Sequence, residues 1–163
     1  MMAEASDIRA LTRSTAWRPL LTALIVTALA SCGGAPGSAE QQLRAWVDRG
    51  HEAAESKDRG TLVDVISPIY SDARGNSRDD IENLFRFFFL RAKKVGLLVS
   101  IDDIDVFDDT AAQVMLTVAM GATTDSALGF IADAFEFELI LERAGDVWLL
   151  VSGRWNDVGN ELR

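Results

Sequence analysis

The sequence predicts an α+β domain in which three helices precede a curved antiparallel sheet and lie against one of its faces. Two observations carry this expectation. Apolar residues recur at helical spacing from Leu43 to Ala92, and from Leu97 onward they recur with a period of two. Clusters of Asp, Gly, Asn and Thr interrupt the chain at 58–60, 75–76, 108–110 and 144–146, dividing the first half into helices and the second into hairpins.

The first 31 residues read as an export signal and are set apart from the fold. Arg9, Arg13 and Arg18 against Glu4 and Asp7 make a weakly basic lead, and 19–30 (PLLTALIVTALA) is an uncharged apolar run. That run is too short to cross a bilayer core, which needs about 20 helical residues, and it fits the roughly 7–15 of a signal's apolar region. Leu29-Ala30-Ser31-Cys32 resembles the lipobox of bacterial lipoproteins. The resemblance implies a diacylglycerol thioether on Cys32, cleavage after Ser31 and acylation of the new amine. One acyl chain binds a membrane only marginally, whereas two or more anchor stably. The competing reading is an ordinary signal peptide with a chance cysteine; position, spacing and flanking residues favour lipidation. Gly33, where aspartate would favour inner-membrane retention, makes the periplasmic face of the outer membrane the expected destination.

Residues 33–37 (GGAPG) then form a flexible tether, and 38–163 a single domain. Cys32 is the only cysteine, so the domain has no internal disulfide and depends on its core alone. The formal net charge of −9 disfavours nucleic acid as a partner and sets the whole domain against an anionic lipid surface, solubility being its simplest use.

Helix one is expected over 39–57, opened by a capping box at Ser38 to Gln41, with Leu43, Trp46, Val47, Gly50, His51 and Ala54 on its inward stripe. A second capping box at Thr61 to Asp64 predicts a short helix ending at Ser67-Pro68. Residues 70–74 should be extended and Gly75-Asn76 should turn. Ser77 caps a third helix, expected to reach about Lys94. Its residues Ile81, Leu84, Phe85, Phe88 and Ala92 share a face, while Phe87, Phe89 and Leu90 fall outside it. A helix apolar on more than one side must be sandwiched or meet a partner, and the core is the ordinary expectation.

In the first strand Val99 and Ile101 share a face, then Ile104 and Val106 share one of opposite parity, which predicts a bulge at Asp102-Asp103. The second strand places Ala112, Val114, Leu116, Val118 and Met120 on one side, and 121–131 is a longer connection. In the third, Phe135, Phe137, Leu139 and Leu141 point inward and Glu136, Glu138 and Glu142 outward. A tight turn at Ala144-Gly145-Asp146 leads to a last strand over 147–155, apolar on both faces and therefore expected in the sheet's centre.

This order of elements, the segment Ile66-Ser67-Pro68-Ile69-Tyr70-Ser71-Asp72 after the short helix, and the closing hairpin from Phe137 to Leu150 resemble the nuclear transport factor 2-like superfamily. The superfamily includes SnoaL-like polyketide cyclases and ketosteroid isomerases. The resemblance, over about 38–158, implies a cystatin-like, cone-shaped sheet with three N-terminal helices packed on its concave face around an apolar cavity. Such domains serve as enzymes, binding domains and subunit-association modules, so the fold leaves the activity open.

No catalytic constellation is legible. The resemblance implies, for the isomerase branch, an aspartate base with an oxyanion hole of tyrosine and protonated aspartate. Here the single tyrosine, Tyr70, follows the second helix, and no aspartates match. Asp102 and Asp103 read as solvated groups at a strand irregularity. His51 reads as a core residue before a general base. One histidine and no cysteine within the domain make a zinc site implausible, and no cofactor motif is present. Trp46, His51, Tyr70, Arg154 and Trp155 remain as pocket candidates, with Arg154 expected to bridge to Asp72 or to meet an anionic ligand. The expected function is a lipid-anchored envelope protein whose cone binds a small apolar ligand or another envelope protein, with a homodimer through the sheet as a further option. The alternative is a small cofactor-independent enzyme of the cyclase or isomerase type using His51 or an Asp.

Overall fold

The structure, a computed structural model, describes residues 37–124 and 130–159. The export signal, Cys32 and most of the tether lie outside the described residues, as does 125–129 between the second and third strands. The helices are α1 (Ala39–Glu55), α2 (Arg59–Asp64) and α3 (Arg78–Arg91). The strands are β1 (Ala92–Asp108), β2 (Ala111–Thr124), β3 (Phe130–Ala144) and β4 (Val147–Asp157), an antiparallel meander in sequence order.

The first helix begins where expected. Ser38 Oγ accepts from Gln41 N at 3.3 Å, and Gln41 Oε1 accepts from Ser38 N at 3.1 Å. Leu43, Trp46, Val47 and Ala53 bury its inner stripe. Past its end, Lys57 takes a left-handed φ of 57°, which disfavours a residue with a Cβ, and its Nζ donates to Ala92 O at 3.1 Å. The second helix starts earlier than expected because Asp58, not Thr61, is its cap. The Asp58 carboxylate accepts from Thr61 N at 3.1 Å and Thr61 Oγ1 at 2.7 Å, bonds that hold its pKa below the usual carboxylate range.

Residues 65–73 are not a free extended stretch. They pair with the outer edge of β4: Leu150 N donates to Val65 O and Ser67 N to Leu150 O, both at 2.9 Å, and Ala73 N donates to Gly153 O at 3.1 Å. This pairing corrects the expectation for β4, which lies at the edge of the sheet rather than in its centre. The strand is apolar on both faces because its free side is covered by this segment, which stands in for a neighbouring strand. The segment is held by the buried Asp72, which accepts from Arg74 N at 2.9 Å, Asn76 N at 2.8 Å and Asn76 Nδ2 at 2.7 Å; Gly75 closes the turn at a φ of 83°.

The third helix opens on a capping box of Ser77 and Asp80 but stops at Arg91, short of Lys94. Sheet pairing takes over at once, with Ala92 opposite Thr124, and Glu55 Oε1 accepts from Leu97 N at 2.9 Å. Ladder bonds along 92–97 outcompete another helical turn. The bulge falls where the parity slip placed it: Ile101 pairs with Leu116 and Asp103 with Met115, leaving Asp102 unpaired. Val99, Ile101, Ile104 and Val106 all consequently pack on the core. The expected long connection at 121–131 is shorter, since β2 and β3 continue their ladder to Thr123 opposite Phe130.

The main core lies between α1 and the concave sheet face, with Leu43, Val114 and Leu141 fully buried at its centre. Trp148 closes one end, its Nε1 donating to Gln42 Oε1 at 3.2 Å. A second, smaller cluster joins Ile66, Tyr70 and Ile81. Leu141→Ala should therefore destabilise the domain by about 2–5 kcal/mol in urea unfolding followed by tryptophan fluorescence. Leu98→Ala, at a side chain 77% exposed, should stay within about 0.5 kcal/mol of the unsubstituted protein. Equal losses at the two sites would contradict this placement of the core.

Candidate ligand cavity

Between the third helix and the part of the sheet that the first helix leaves uncovered is a cavity of about 440 Å³. All three helices, all four strands and the segment 65–73 contribute to its wall. The inner face of α3 contributes Ile81, Leu84, Phe85, Phe88 and Phe89. The sheet contributes Val95 and Leu97, Val118 and Met120, then Phe135, Phe137 and Leu139. Leu150 and Trp155 of β4 close one side, and Ala54, Leu62, Ile66 and Tyr70 the other.

The wall is apolar because strand alternation and helix period both aim apolar residues here, yet no side chain is large enough to fill the gap. On it, among the described residues, only the side chains of Tyr70 and Trp155 carry a nitrogen or oxygen. A water placed inside needs 2–4 polar partners and would find at most these, so the space suits an apolar molecule better than solvent. The volume lies in the range of small-molecule sites, roughly 300–1,000 Å³.

The five candidate residues part company here. Tyr70 and Trp155 are on the wall, and so is Phe135. Trp46 packs instead in the main core with Leu43 and Val47, and its Nε1 is buried without a hydrogen-bond partner. His51 is absent from the wall; its Nε2 also lacks a hydrogen-bond partner, lying 3.6 Å from Glu55 Oε1. Arg154 points to the convex face and pairs with Glu138, its cross-strand neighbour, rather than with Asp72. Sheet register explains this: the β4 irregularity opposite Ile140 and Leu141 places Trp155 inward and Arg154 outward. Asp102 and Asp103 are exposed, and Asp102 Oδ2 accepts from Thr117 Oγ1 at 2.7 Å.

Two wall residues are braced from behind. Trp155 stacks on Phe137 with ring centroids 6.3 Å apart, and the Arg74 guanidinium sits 4.4 Å from the Trp155 ring centroid while donating to Trp155 O at 3.0 Å. Tyr70 is buried, and loss of solvent, reinforced by the Asp72 carboxylate, pushes its phenol up from 10.0 to about 12. At ordinary pH it is a neutral hydroxyl, able to donate to or accept from a single ligand oxygen. Phe85, Phe88, Phe89 and Met120 also line the wall; for the three phenylalanines the sequence signal is the apolar excess of α3, and for Met120 its place on the inner side of β2. Among the described residues, no group of three or more His, Cys, Asp or Glu side chains is placed to hold a metal ion.

No family model and no curated protein matches the sequence. Solved structures do match. A nuclear transport factor 2-like superfamily protein from Salmonella enterica serovar Typhimurium superposes with a TM-score of 0.61 at 15% identity, covering 74% of this chain and 95% of that one. The fold is nuclear transport factor 2-like. A ketosteroid isomerase-like protein from Erwinia carotovora atroseptica shares this fold at a TM-score of 0.61 and 11% identity, over 76% of this chain and 100% of that one. A type 2 hexachlorocyclohexane dehydrochlorinase does so at 0.64 and 8%, over 77% and 89%. Within the nuclear transport factor 2-like frame, the cavity lies between the helices and the concave sheet, as the resemblance implied.

Tyr70 is the sole tyrosine, so its ionisation can be followed directly by ultraviolet absorbance. It should titrate near pH 12 in the folded protein and near 10 after unfolding. Because the folded pKa is the higher, the folded state holds its proton longer, and stability should fall as pH rises from about 10 to 12. Tyr70→Phe should remove that alkaline slope; a slope of unchanged size would place the cause elsewhere.

Proposed function

We propose that this chain is a lipid-anchored envelope protein whose cone holds a small apolar ligand without transforming it. The observation that carries the reading is the wall itself: among the described residues it has apolar side chains throughout, one neutral hydroxyl, one indole, and no carboxylate or imidazole. Burial of a ligand's apolar surface is favourable by roughly 25 cal/mol per Å², so shape and apolar area suffice for binding. General acid–base chemistry needs a titratable group within hydrogen-bond reach of the reacting atom. The described wall offers only Tyr70, with a pKa pushed to about 12, far from a pKa matched to neutral pH. The anchor is supported by the Leu29-Ala30-Ser31-Cys32 motif and the apolar run before it, with Gly33 favouring the outer membrane. No described helix is long and apolar enough to cross a membrane.

A second reading, a cofactor-independent enzyme of the cyclase or isomerase type, draws on neighbours that include a ketosteroid isomerase-like protein and a dehydrochlorinase. It requires His51 or an aspartate to reach the ligand, whereas His51 is off the wall and Asp102 and Asp103 are exposed.

The fluorescent apolar probe N-phenyl-1-naphthylamine should bind the domain. Val118→Trp, which fills the cavity from the sheet side, should weaken that binding about tenfold or more, while His51→Gln leaves it unchanged. Undiminished binding in the filled variant would contradict the site. For the anchor, Cys32→Ser should abolish acyl labelling and release the domain into the soluble periplasmic fraction; persistent labelling would overturn the assignment.

A further inference from the structure

The side of α3 that faces away from the cavity is also apolar, and it is bare. Phe87 is 64% exposed and Leu90 75%, and neither lines the cavity. At 3.6 residues per turn, Arg86 and Arg91 fall on either side of the Phe87–Leu90 strip, and Lys93 and Lys94 follow directly after the helix. All four of these basic residues are exposed, and no acidic residue lies between 83 and 101. The helix's own carboxylates, Asp79, Asp80 and Glu82, are confined to its other end. In a chain of net charge −9, this stretch is a local cationic surface surrounding exposed aromatic and aliphatic side chains.

We infer that this outer ridge of α3 is a membrane-contact surface for anionic phospholipid. Charge complementarity selects that occupant. Interfacial helices bury Phe and Leu about 5–10 Å into the headgroup boundary while flanking Arg and Lys meet lipid phosphates. Long basic side chains extend their charged heads to the polar layer as their stems cover apolar surface. The overall negative charge does not prevent this, because screening limits each charge's reach to about 8 Å at physiological ionic strength. The ridge therefore meets the surface through its own charges, not through the net charge of the domain. Contact there would leave a single helix between the bilayer and the cavity, with Phe85, Phe88 and Phe89 on one side of it and Phe87 and Leu90 on the other.

The inference is independent of Cys32 and is tested without it. Gly37–Arg163 forms a separate compact unit with its own core, so residues 33–163 can be prepared unlipidated. Flotation with vesicles of phosphatidylcholine and phosphatidylglycerol at 70:30 should carry the protein upward, and vesicles of phosphatidylcholine alone should carry far less; added salt should reduce the difference. The double variant Phe87→Ser with Leu90→Ser should lower partitioning by about tenfold or more. Arg86→Glu with Arg91→Glu and Lys94→Glu, at exposed positions outside the core, should abolish the preference for phosphatidylglycerol. Leu98→Ser, equally exposed but on the convex sheet face, should float like the unsubstituted domain. Thermal melts by circular dichroism identify any variant that fails to fold, and the charge variant then decides alone. Absence of flotation by the unsubstituted domain, or flotation indifferent to the ridge variants, would overturn the inference. So would a ridge variant that turns a dimer into a monomer while vesicle binding stays the same, since the ridge would then be a protein interface.

Discussion

The structure depends on how the concave face of its sheet is kept from water. That face is apolar along all four strands, and two helices of different quality cover it. The first lies close, with Leu43 and Val47 meeting Val114 and Leu141 in a core that excludes solvent. The third is anchored at its first turn by Ile81 and stands off beyond that point. The space below Phe85, Phe88 and Phe89 is the consequence. A sheet bent enough to leave such a space needs its bends at defined places, and the bulge at Asp102 supplies one without turning the apolar residues of β1 outward.

The edge of the sheet is managed by the same economy. β4 would expose unpaired backbone groups were it not for residues 65–73; this covering segment also delivers Tyr70 to the cavity, and Arg74, directly after it, packs on Trp155. Asp72, buried with three donors on its carboxylate, fixes the turn through Arg74 and Asn76 that follows Tyr70. The local geometry that blunts an edge is thus the geometry that builds the one polar end of the site. Packing and function are linked at Asp72 although it does not line the cavity.

Much of this was legible in the residues. Period-two alternation placed Val114, Leu116, Phe137 and Leu139 on the inner face, and the parity slip at Asp102-Asp103 located the bulge. The capping residues Ser38 and Ser77 marked two helix starts. What failed had a common cause, namely that local pattern does not report who the neighbour is. An edge strand covered by a loop has the composition of a central one, so β4 was misplaced. Asp58, three residues before Thr61, caps the second helix through its carboxylate, which accepts from Thr61 N, so Thr61 lies inside the first turn. The apolar excess of helix three points to core because apolar residues ordinarily pack, whereas here some face a cavity and others face solvent. Of the candidate residues, Tyr70 and Trp155 lie on the cavity wall, beside phenylalanines of α3 whose helical spacing alone points to packing.

A binding role for the cavity requires that something apolar occupy it in its native setting. Native mass spectrometry of the full-length protein, gently extracted from the membrane with its anchor intact, measures this directly. The account predicts a non-covalent adduct of a single apolar small molecule, retained in the unsubstituted protein and missing from the Val118→Trp variant. Protein that carries no such adduct, or an adduct retained equally by the filled variant, would contradict it.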